Sequence, residues 1–210
     1  MPGVKAVQGL YVILDTATLG RRPVLAAARA ALRGGAAVLQ LRDKRLGTGD
    51  LYRLAVNLAG LTRRAGRLLI INDRVDVALA AGADGAHVGA HDLPVSVAKR
   101  ILGKGRIVGA SSHSLREAKV MARSGADYVA FGAVFPSLTK PQVKRQGIAN
   151  LRKVARALDK PVVAIGGITT RNAGEVMGSG AVAAAVISAV LKTRDIEGAC
   201  RRMLGAMRAA

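Results

Sequence analysis

The sequence predicts one (β/α)8 barrel over residues 1–210. Eight short apolar runs, rich in branched residues, alternate with segments of helical composition along the chain. Similar Gly-Ala-Asp or Gly-Ala-Val steps at Gly82, Gly125 and Gly180 join a helix to the next strand. Strict alternation at this length favours a closed barrel of parallel strands. An open doubly wound sheet is the alternative, but no GxGxxG or P-loop motif opens any helix.

The strands and helices follow from local patterns. An apolar run bounded by glycine or polar residues suits a strand that is buried on both faces. Such runs predict strands at 10–14, 37–41, 68–71, 84–88, 106–110, 127–131, 161–165 and 181–187. Helices are predicted at 23–32, 49–65, 75–81, 95–102, 114–124, 147–158, from 170 or 171 to 177, and at 193–207. The pair Ser114 and Glu117 has the spacing of a capping box.

Length and composition indicate a chain with a sizeable core. The 210 residues, half of them hydrophobic, suffice for one folded domain and exclude a disordered chain. No apolar run reaches the roughly 18 residues of a membrane-spanning helix, and no signal-peptide pattern is apparent. The single cysteine, Cys200, excludes internal disulfides and fits a cytoplasmic location. It is expected to be a small buried group in the last helix.

The net charge of +20 permits binding to nucleic acid or to anionic membranes. The basic residues are spread along the chain, however, and three Tyr, two Phe and no Trp leave few aromatic rings for base stacking. An arginine-rich helical surface is therefore the preferred interpretation. A positive field would also attract a phosphorylated substrate.

Two aspartates follow neighbouring predicted strands. Strand 68–71 ends at Asn72 and Asp73, and strand 84–88 is followed closely by Asp92. Because one helix joins these strands, they are expected to be parallel neighbours, with both acids at the carboxyl end of the sheet. Two carboxylates at that end suit a hard cation such as Mg²⁺. The alternative is that Asp73 only caps a helix and Asp92 only begins a loop.

Other polar residues follow strands at the same end. Gln40, Arg42 and Lys44 are expected to point to one side, and two cations there suit a multiply charged anion. Strands seven and eight end at Gly166–Gly167 and Ile187–Ser188, where loops of such barrels commonly bind phosphate through backbone N–H groups. The strands between contribute Asn72, Ser111, Ser137, Thr139 and Lys140.

The expected site therefore binds two anions, a metal-bound diphosphate and a monophosphate. No Ser-His-Asp set and no catalytic-cysteine pattern is apparent. A reaction that needs little acid–base chemistry fits this arrangement: a diphosphate ionises, and a second substrate captures the cation. Mg²⁺ and the basic side chains would stabilise the charge of the leaving group.

Seven motifs in order along the chain resemble those of the thiamine phosphate synthase family. They are QLRDK (40–44), IINDRVD (70–76), ADGAHVGAHDLP (83–94), GASSHS (109–114), FGAVFPSLTK (131–140), PVVAIGGI (161–168) and VISAV (186–190). Each motif is modest alone, but seven in register are specific. The barrel fold of the family agrees with the independent count of strands.

The resemblance implies that a hydroxymethylpyrimidine diphosphate loses diphosphate and that a thiazole monophosphate captures the resulting carbon, giving thiamine monophosphate. It also implies Mg²⁺ as the cofactor, with Asp73 and Asp92 as its ligands. The catalytic set would be Arg42, Lys44, Ser111 and Lys140. The residues that bind the pyrimidine diphosphate would be Gln40, Arg42, Lys44, Asn72, Ser111 and Lys140. Those that bind the thiazole phosphate would be Ser137, Thr139, Gly167, Ile187 and Ser188.

Two rival functions stay open at this point. One is a related barrel that binds or tautomerises thiazole phosphate without coupling, although such a protein is expected to lose the metal-binding acids. The other is a basic nucleic-acid-binding protein, which predicts steeply salt-dependent binding to random DNA or RNA. The sequence also leaves open association into a homo-oligomer.

The chain departs from the usual family pattern at Ala90, where glutamine is common, and at Ser137, where threonine is common. The segment 137–146 is expected to close over the substrates. His87 and His91 permit a zinc site, but a structural role, or one that supports a neighbouring ligand, is preferred because no third ligand is apparent. His113 is likewise expected to form a hydrogen bond in a loop rather than to act as a base.

Overall fold

The structure, a computed structural model, describes residues 7–136 and 144–209. Eight parallel strands pair in sequence order, and β1 pairs with β8 to close the barrel. The predicted (β/α)8 barrel is thus confirmed. The strands are β1 (Gly9–Asp15), β2 (Val38–Arg42), β3 (Leu68–Asn72), β4 (Gly85–Val88), β5 (Ile107–Ser112), β6 (Tyr128–Phe131), β7 (Val162–Ile165) and β8 (Ala183–Val186).

All eight predicted helices are present in the structure. They are α2 (Val24–Arg33), α3 (Thr48–Arg64), α4 (Val75–Ala80), α5 (Val95–Leu102), α6 (Leu115–Arg123), α7 (Gly147–Ala157), α8 (Ala173–Met177) and α10 (Ile196–Arg208). Two further helices of four residues each, α1 (Thr16–Leu19) and α9 (Ser188–Leu191), follow β1 and β8. They escaped prediction because one turn is too short to show helical periodicity.

The barrel has an inner and an outer apolar layer because side chains alternate along each strand. In β1, Leu10, Val12 and Leu14 pack outward against the helices. Tyr11 and Ile13 point inward with residues of the other strands. Cys200 is buried between the last helix and the barrel, as expected, and burial raises the pKa of its thiol to about 12. No helix in the described part of the chain is long and apolar enough to cross a membrane.

The repeated helix-to-strand step is confirmed as one structural unit. Gly82 and Gly125 have φ values of 65° and 98°, a region in which glycine carries no steric penalty. Two residues after each glycine an aspartate accepts a backbone N–H from the preceding strand. Asp84 accepts from Leu69 at 2.8 Å, and Asp127 accepts from Val108 at 2.7 Å. These turns lie at the amino end of the barrel, so the predicted polar residues lie at the opposite end.

Candidate active site

A small cavity of about 60 Å³ opens inside the carboxyl end of the barrel. Its wall includes five residues that the sequence assigned to the site: Gln40, Arg42, Asn72, Ser111 and Ile187. They come from β2, β3, β5 and the end of β8. The remainder of its wall is mostly apolar, with Ile13, Val163 and Ile165 among its members. A largely apolar chamber with a few polar groups is typical of a ligand pocket, in which the polar groups fix the orientation of the ligand.

A larger cavity of about 360 Å³ lies beside the first. Its wall contains the predicted residues Gly167, Ile187 and Ser188, together with His113 and Lys192, which the sequence did not single out for phosphate binding. The residues common to both walls are Ser111, Ile165, Ala185 and Ile187. Two chambers with a shared wall can hold two substrates next to each other.

The loop after β6 packs directly against the glycine pair that follows β7. A Cβ atom on Gly167 would lie 2.3 Å from the backbone oxygen of Pro136, so only glycine permits this approach. The N–H of Phe135 donates to the oxygen of Gly166 at 3.0 Å. Three predicted site residues follow immediately: Ser137, Thr139 and Lys140 lie outside the described residues.

Asp73 and Asp92 face each other and form what we call the carboxylate pair. Lys44 donates to the Asp73 carboxylate, and the N–H of Gly89 donates to Asp92 Oδ2 at 2.7 Å. Burial, with the neighbouring Asp92 carboxylate, raises the pKa of Asp73 even though Lys44 opposes the shift. The pKa of Asp92 is lowered, because hydrogen bonds from Asp73 and Gly89 outweigh its burial. The pKa values of the two acids move in opposite directions because each carboxylate acts on the other.

The structure decides against the simpler interpretation of Asp73. Helix α4 has Arg74 at its N-cap and no side-chain capping bond, so the Asp73 carboxylate caps nothing there. Asp73 has a φ of 61°, the one positive value among the described residues other than glycine. Aspartate tolerates this conformation better than most residues. Asp92 does stabilise its own loop through Gly89, yet it also meets Asp73.

The carboxylate pair fits a divalent cation by the chemistry of its donors. Carboxylate oxygens are hard ligands, and a cation between two neighbouring carboxylates would offset their mutual repulsion. No group of three potential His, Cys, Asp or Glu ligands occurs within the described ranges. A cation that retains several waters and binds one or two carboxylates, as Mg²⁺ does, matches such a sparse set. The assignment of Mg²⁺ stays a prediction.

Arg42 has a buried partner that the sequence analysis did not identify. Asp15, at the end of β1, is 2% exposed and forms an ion pair with Arg42 across the β1–β2 register. The backbone and hydroxyl of Thr18 also donate to Asp15, each at 2.8 Å. Burial alone would raise the pKa of Asp15, but these hydrogen bonds and the Arg42 charge lower it. Asp15 therefore orients the guanidinium at the small cavity.

Five polar side chains form one continuous hydrogen-bonded row below the small cavity, which we call the tyrosine–histidine chain. Gln40 Nε2 donates to Tyr11 Oη at 2.7 Å, and the two tyrosine hydroxyls, Tyr11 and Tyr128, are 2.9 Å apart. Tyr128 Oη is 3.0 Å from His87 Nδ1, and His87 Nε2 is 2.9 Å from Ser111 Oγ. Each of the five residues comes from a different strand.

His87 has the structural role that the sequence favours, because its two ring nitrogens lie within hydrogen-bonding distance of Tyr128 and Ser111. His113 also forms a loop hydrogen bond, since its Nδ1 is 2.5 Å from the oxygen of Gly132. Tyr11 and Tyr128 were not among the predicted site residues. Each is a tyrosine within an apolar strand, and a buried hydroxyl needs a hydrogen-bond partner, so this pattern could have predicted a polar cluster inside the barrel.

A glycine makes the tyrosine–histidine chain sterically feasible. Gly109 on β5 lies in register between His87 on β4 and Tyr128 on β6. A Cβ atom at Gly109 would lie 2.0 Å from Tyr128 Cζ. Without that atom the His87 and Tyr128 rings approach face to face, with centroids 5.6 Å apart and an interplanar angle of 27°. The GASSHS motif therefore supplies both Ser111 and the space for the tyrosine.

Known proteins resemble this chain along most of its length. The family described as "Thiamine monophosphate synthase" matches residues 10–190. The chain belongs to the thiamine monophosphate synthase family. A thiamine-phosphate synthase from Roseiflexus castenholzii is 47% identical over 195 residues, which are 92% of this chain and 86% of the relative. Another, from Methanoculleus marisnigri, is 47% identical over 203 residues, 96% of each chain.

A solved structure also matches along nearly the whole chain. The thiamine phosphate pyrophosphorylase from Pyrococcus furiosus is 40% identical, with a TM-score of 0.90 and 96% of each chain covered. The resemblance inferred from the seven motifs is therefore confirmed. The protein is an enzyme of this family, a transferase.

Proposed function

We propose that the protein joins 4-amino-2-methyl-5-(diphosphooxymethyl)pyrimidine to 4-methyl-5-(2-phosphooxyethyl)thiazole, giving thiamine monophosphate and diphosphate. The bond between the pyrimidine methylene carbon and the diphosphate oxygen breaks, and a bond from the thiazole nitrogen to that carbon forms. The thiazole nitrogen carries a lone pair and no proton, so the coupling needs no general base. A site built from cations and hydrogen-bond donors suits this chemistry.

The observation that supports this proposal most directly is the pair of adjoining cavities. The small cavity would hold the pyrimidine ring and the larger one the thiazole phosphate, with Ser111 and Ile187 in the wall common to both. Adjacent chambers bring the reacting carbon and nitrogen together, which converts a bimolecular reaction into an effectively unimolecular one. The mostly apolar walls would exclude water, which competes for the carbocation.

Arg42, in the wall of the small cavity, and the charged groups that follow β2, β3 and β4 would bind the diphosphate. Arg42, held by Asp15, and Lys44, beside Asp73, supply positive charge at neighbouring positions along the chain. Asp73 and Asp92 would hold Mg²⁺. Bound there, Mg²⁺ would neutralise charge on the departing diphosphate. For the second substrate, Gly167 and Ser188 would meet the phosphate, and Lys192 offers a further cation on that wall.

The direct test mixes both substrates with the protein and measures thiamine monophosphate, with excess EDTA in one arm and a series of Mg²⁺ concentrations in the other. Product that appears only with Mg²⁺ is the expected result. No product at any Mg²⁺ concentration overturns the proposed reaction. Equal product in EDTA and Mg²⁺ retains the reaction but rejects the metal.

The rival without coupling activity is disfavoured by the same residues. A protein that only binds or isomerises a thiazole phosphate has no need of a second cavity or of the carboxylate pair. The same assay separates the two functions, because the rival predicts altered thiazole phosphate and no thiamine monophosphate.

A further inference from the structure

The middle of the tyrosine–histidine chain has no part in the proposed reaction, yet it is buried and polar. Tyr11 is 1% exposed, Tyr128 is 0% exposed and His87 is 8% exposed. Only the two ends, Gln40 and Ser111, are residues assigned to substrate binding. Polar groups inside a barrel cost stability unless each is hydrogen-bonded, so five in a row from five strands require a reason.

The chain has a direction because each tyrosine hydroxyl carries one proton. Gln40 donates to the Tyr11 oxygen, so the Tyr11 proton goes to Tyr128, and the Tyr128 proton goes to His87 Nδ1. A neutral His87 whose Nδ1 accepts carries its proton on Nε2 and donates it to Ser111 Oγ. If any one link were turned round while the others kept this direction, a buried hydroxyl proton would have no acceptor, which is unfavourable.

The direction of the chain decides what its two ends present to the cavity. With one N–H used on Tyr11, Gln40 keeps its carbonyl oxygen as an acceptor and its second N–H as a donor. With its oxygen accepting from His87, Ser111 keeps its own O–H as a donor. In the reverse direction the Gln40 oxygen would accept from Tyr11 and the Ser111 proton would go to His87, so that Gln40 presented only donors and Ser111 only an acceptor. The two ends are therefore coupled through three residues that line the cavity between them.

We propose that Tyr11, Tyr128 and His87 are positioning residues that select an aminopyrimidine by fixing which hydrogen-bonding atoms Gln40 and Ser111 present. An aminopyrimidine offers amino N–H donors and a ring-nitrogen acceptor, which match the Gln40 oxygen and the Ser111 proton. The 4-oxo analogue offers the inverse, a carbonyl acceptor and a ring N–H donor. The inference rests on the proposed function, because it names how that site recognises its first substrate.

Two observations support a chain that stays protonated and unbroken. Burial raises the pKa of Tyr11 and of Tyr128 well above that of an exposed tyrosine, so both hydroxyls keep their protons. Gly109 leaves room for the Tyr128 ring to reach His87, and no larger residue could do so. Rigid packing therefore holds the Tyr11 and Tyr128 hydroxyls within hydrogen-bonding distance of each other and of His87.

The test compares binding of the 4-amino and 4-oxo pyrimidine diphosphates by calorimetry, without thiazole phosphate, in wild type and in Tyr11→Phe and Tyr128→Phe. Each Phe variant removes one hydroxyl and cuts the chain. Wild type is expected to bind the amino form at least about tenfold more tightly, and each variant is expected to reduce that ratio to within about threefold of unity. Tyr52→Phe, at a half-exposed tyrosine on α3, is the matched control and keeps the wild-type ratio.

Two further measurements distinguish positioning from general damage. The Kd of the thiazole phosphate should be unchanged in every variant, whereas a collapsed barrel would weaken it. Nitrogen NMR of wild type should show His87 protonated on Nε2 when the amino form is bound, and this needs no variant to fold. An unchanged selectivity ratio in both Phe variants, or a His87 proton on Nδ1, overturns the inference. Wild type that binds neither pyrimidine instead overturns the proposed function.

Discussion

Two polar regions at the same end of the barrel differ in whether their side chains carry charge and in how exposed they are to water. The carboxylate pair and Lys44 lie where water reaches, and the Lys44 and Asp73 side chains are 55% and 18% exposed. The tyrosine–histidine chain lies one layer deeper, and both of its tyrosines are fully buried. Its tyrosine groups are neutral and linked by hydrogen bonds rather than by ion pairs.

The difference follows from the cost of removing charge from water. An ion pair or a metal site at the rim retains part of its solvation, whereas an isolated charge inside the barrel would lose it. The rim can therefore bind the diphosphate, and the interior can recognise a neutral ring. Changes at the rim should act through charge and respond to cations. Changes in the interior should act through hydrogen-bond direction and packing.

The largest effect is expected at the carboxylate pair. Asp92→Asn keeps the shape of the side chain but removes a charge that a divalent cation would need. Turnover should fall by about 100- to 1,000-fold, because metal stabilisation of a leaving group contributes several kcal/mol. Asp76→Asn is the control, since Asp76 pairs only with the nearby Arg74 among the described residues and is 63% exposed. Unchanged turnover in Asp92→Asn would show that the negative charge of the carboxylate pair does not contribute to the reaction.

The next effect is expected at the glycine between the two rings. Gly109→Ala should destabilise the protein by about 1–3 kcal/mol, because the new methyl group displaces Tyr128. The thermal midpoint should fall, and pyrimidine selectivity should fall with it while Mg²⁺ dependence persists. Gly205→Ala is the control: no atom lies within 4 Å of its Cβ position, and alanine favours the helix. Selectivity equal to wild type in Gly109→Ala would mean that packing does not set the chain's direction.

A smaller effect is expected at the partner of Arg42. Asp15→Asn should raise the KM for the pyrimidine diphosphate by roughly tenfold and cost about 1–3 kcal/mol of stability at neutral pH. Asp50→Asn, at an exposed pair with Arg53, should cost under about 1 kcal/mol.

The pH dependence of this stability difference has a defined sign. The folded state lowers the pKa of Asp15 below the ordinary 3.8, so its contribution is present above that value. The stability gap between wild type and Asp15→Asn should therefore shrink as pH falls below 3.8. Denaturant unfolding at several pH values measures it, and a gap that grows on acidification would contradict the assignment.

The smallest effect is expected in the larger cavity. Lys192→Ala should raise the KM for the thiazole phosphate by about three- to tenfold, because an exposed lysine contributes one screened contact to phosphate. The KM for the pyrimidine diphosphate should not change. Lys160→Ala is the control, because Lys160 precedes β7 at the opposite end of the barrel. An equal rise in KM for both substrates would show that Lys192 acts through the overall electrostatic potential of the protein and not through a contact in one cavity.

The barrel was predictable because its signals are local. The glycine turns, the apolar runs and the capping box at Ser114 each depend on a few consecutive residues, and each is present in the structure. Strand and helix ends shifted by a few residues where apolar composition continues past them. For example, the predicted strand 181–187 is Ala183–Val186, since Ala181 and Val182 belong to the preceding turn.

Contacts between site residues could be predicted from the sequence only where the order of the strands is enough to bring the residues together. The order of strands was enough to bring Asp73 and Asp92 together. The partners of Arg42 and of Tyr128 were not, because Asp15 lies 27 residues from Arg42 and Tyr11 lies 117 residues from Tyr128. Such pairings depend on which side chains share one layer inside the closed barrel, which no local pattern encodes.

The aspartates of the Gly-Ala-Asp turns stabilise strand pairing at the end of the barrel that does not bind substrate. Asp84 and Asp127 each fasten one strand to its predecessor at the amino end, remote from both cavities. These hydrogen bonds do not involve residues of the opposite rim. Loops there can therefore change in length or sequence while the strands keep their pairing register. Descendants of this chain can therefore acquire new ligands without inventing a new way to fold.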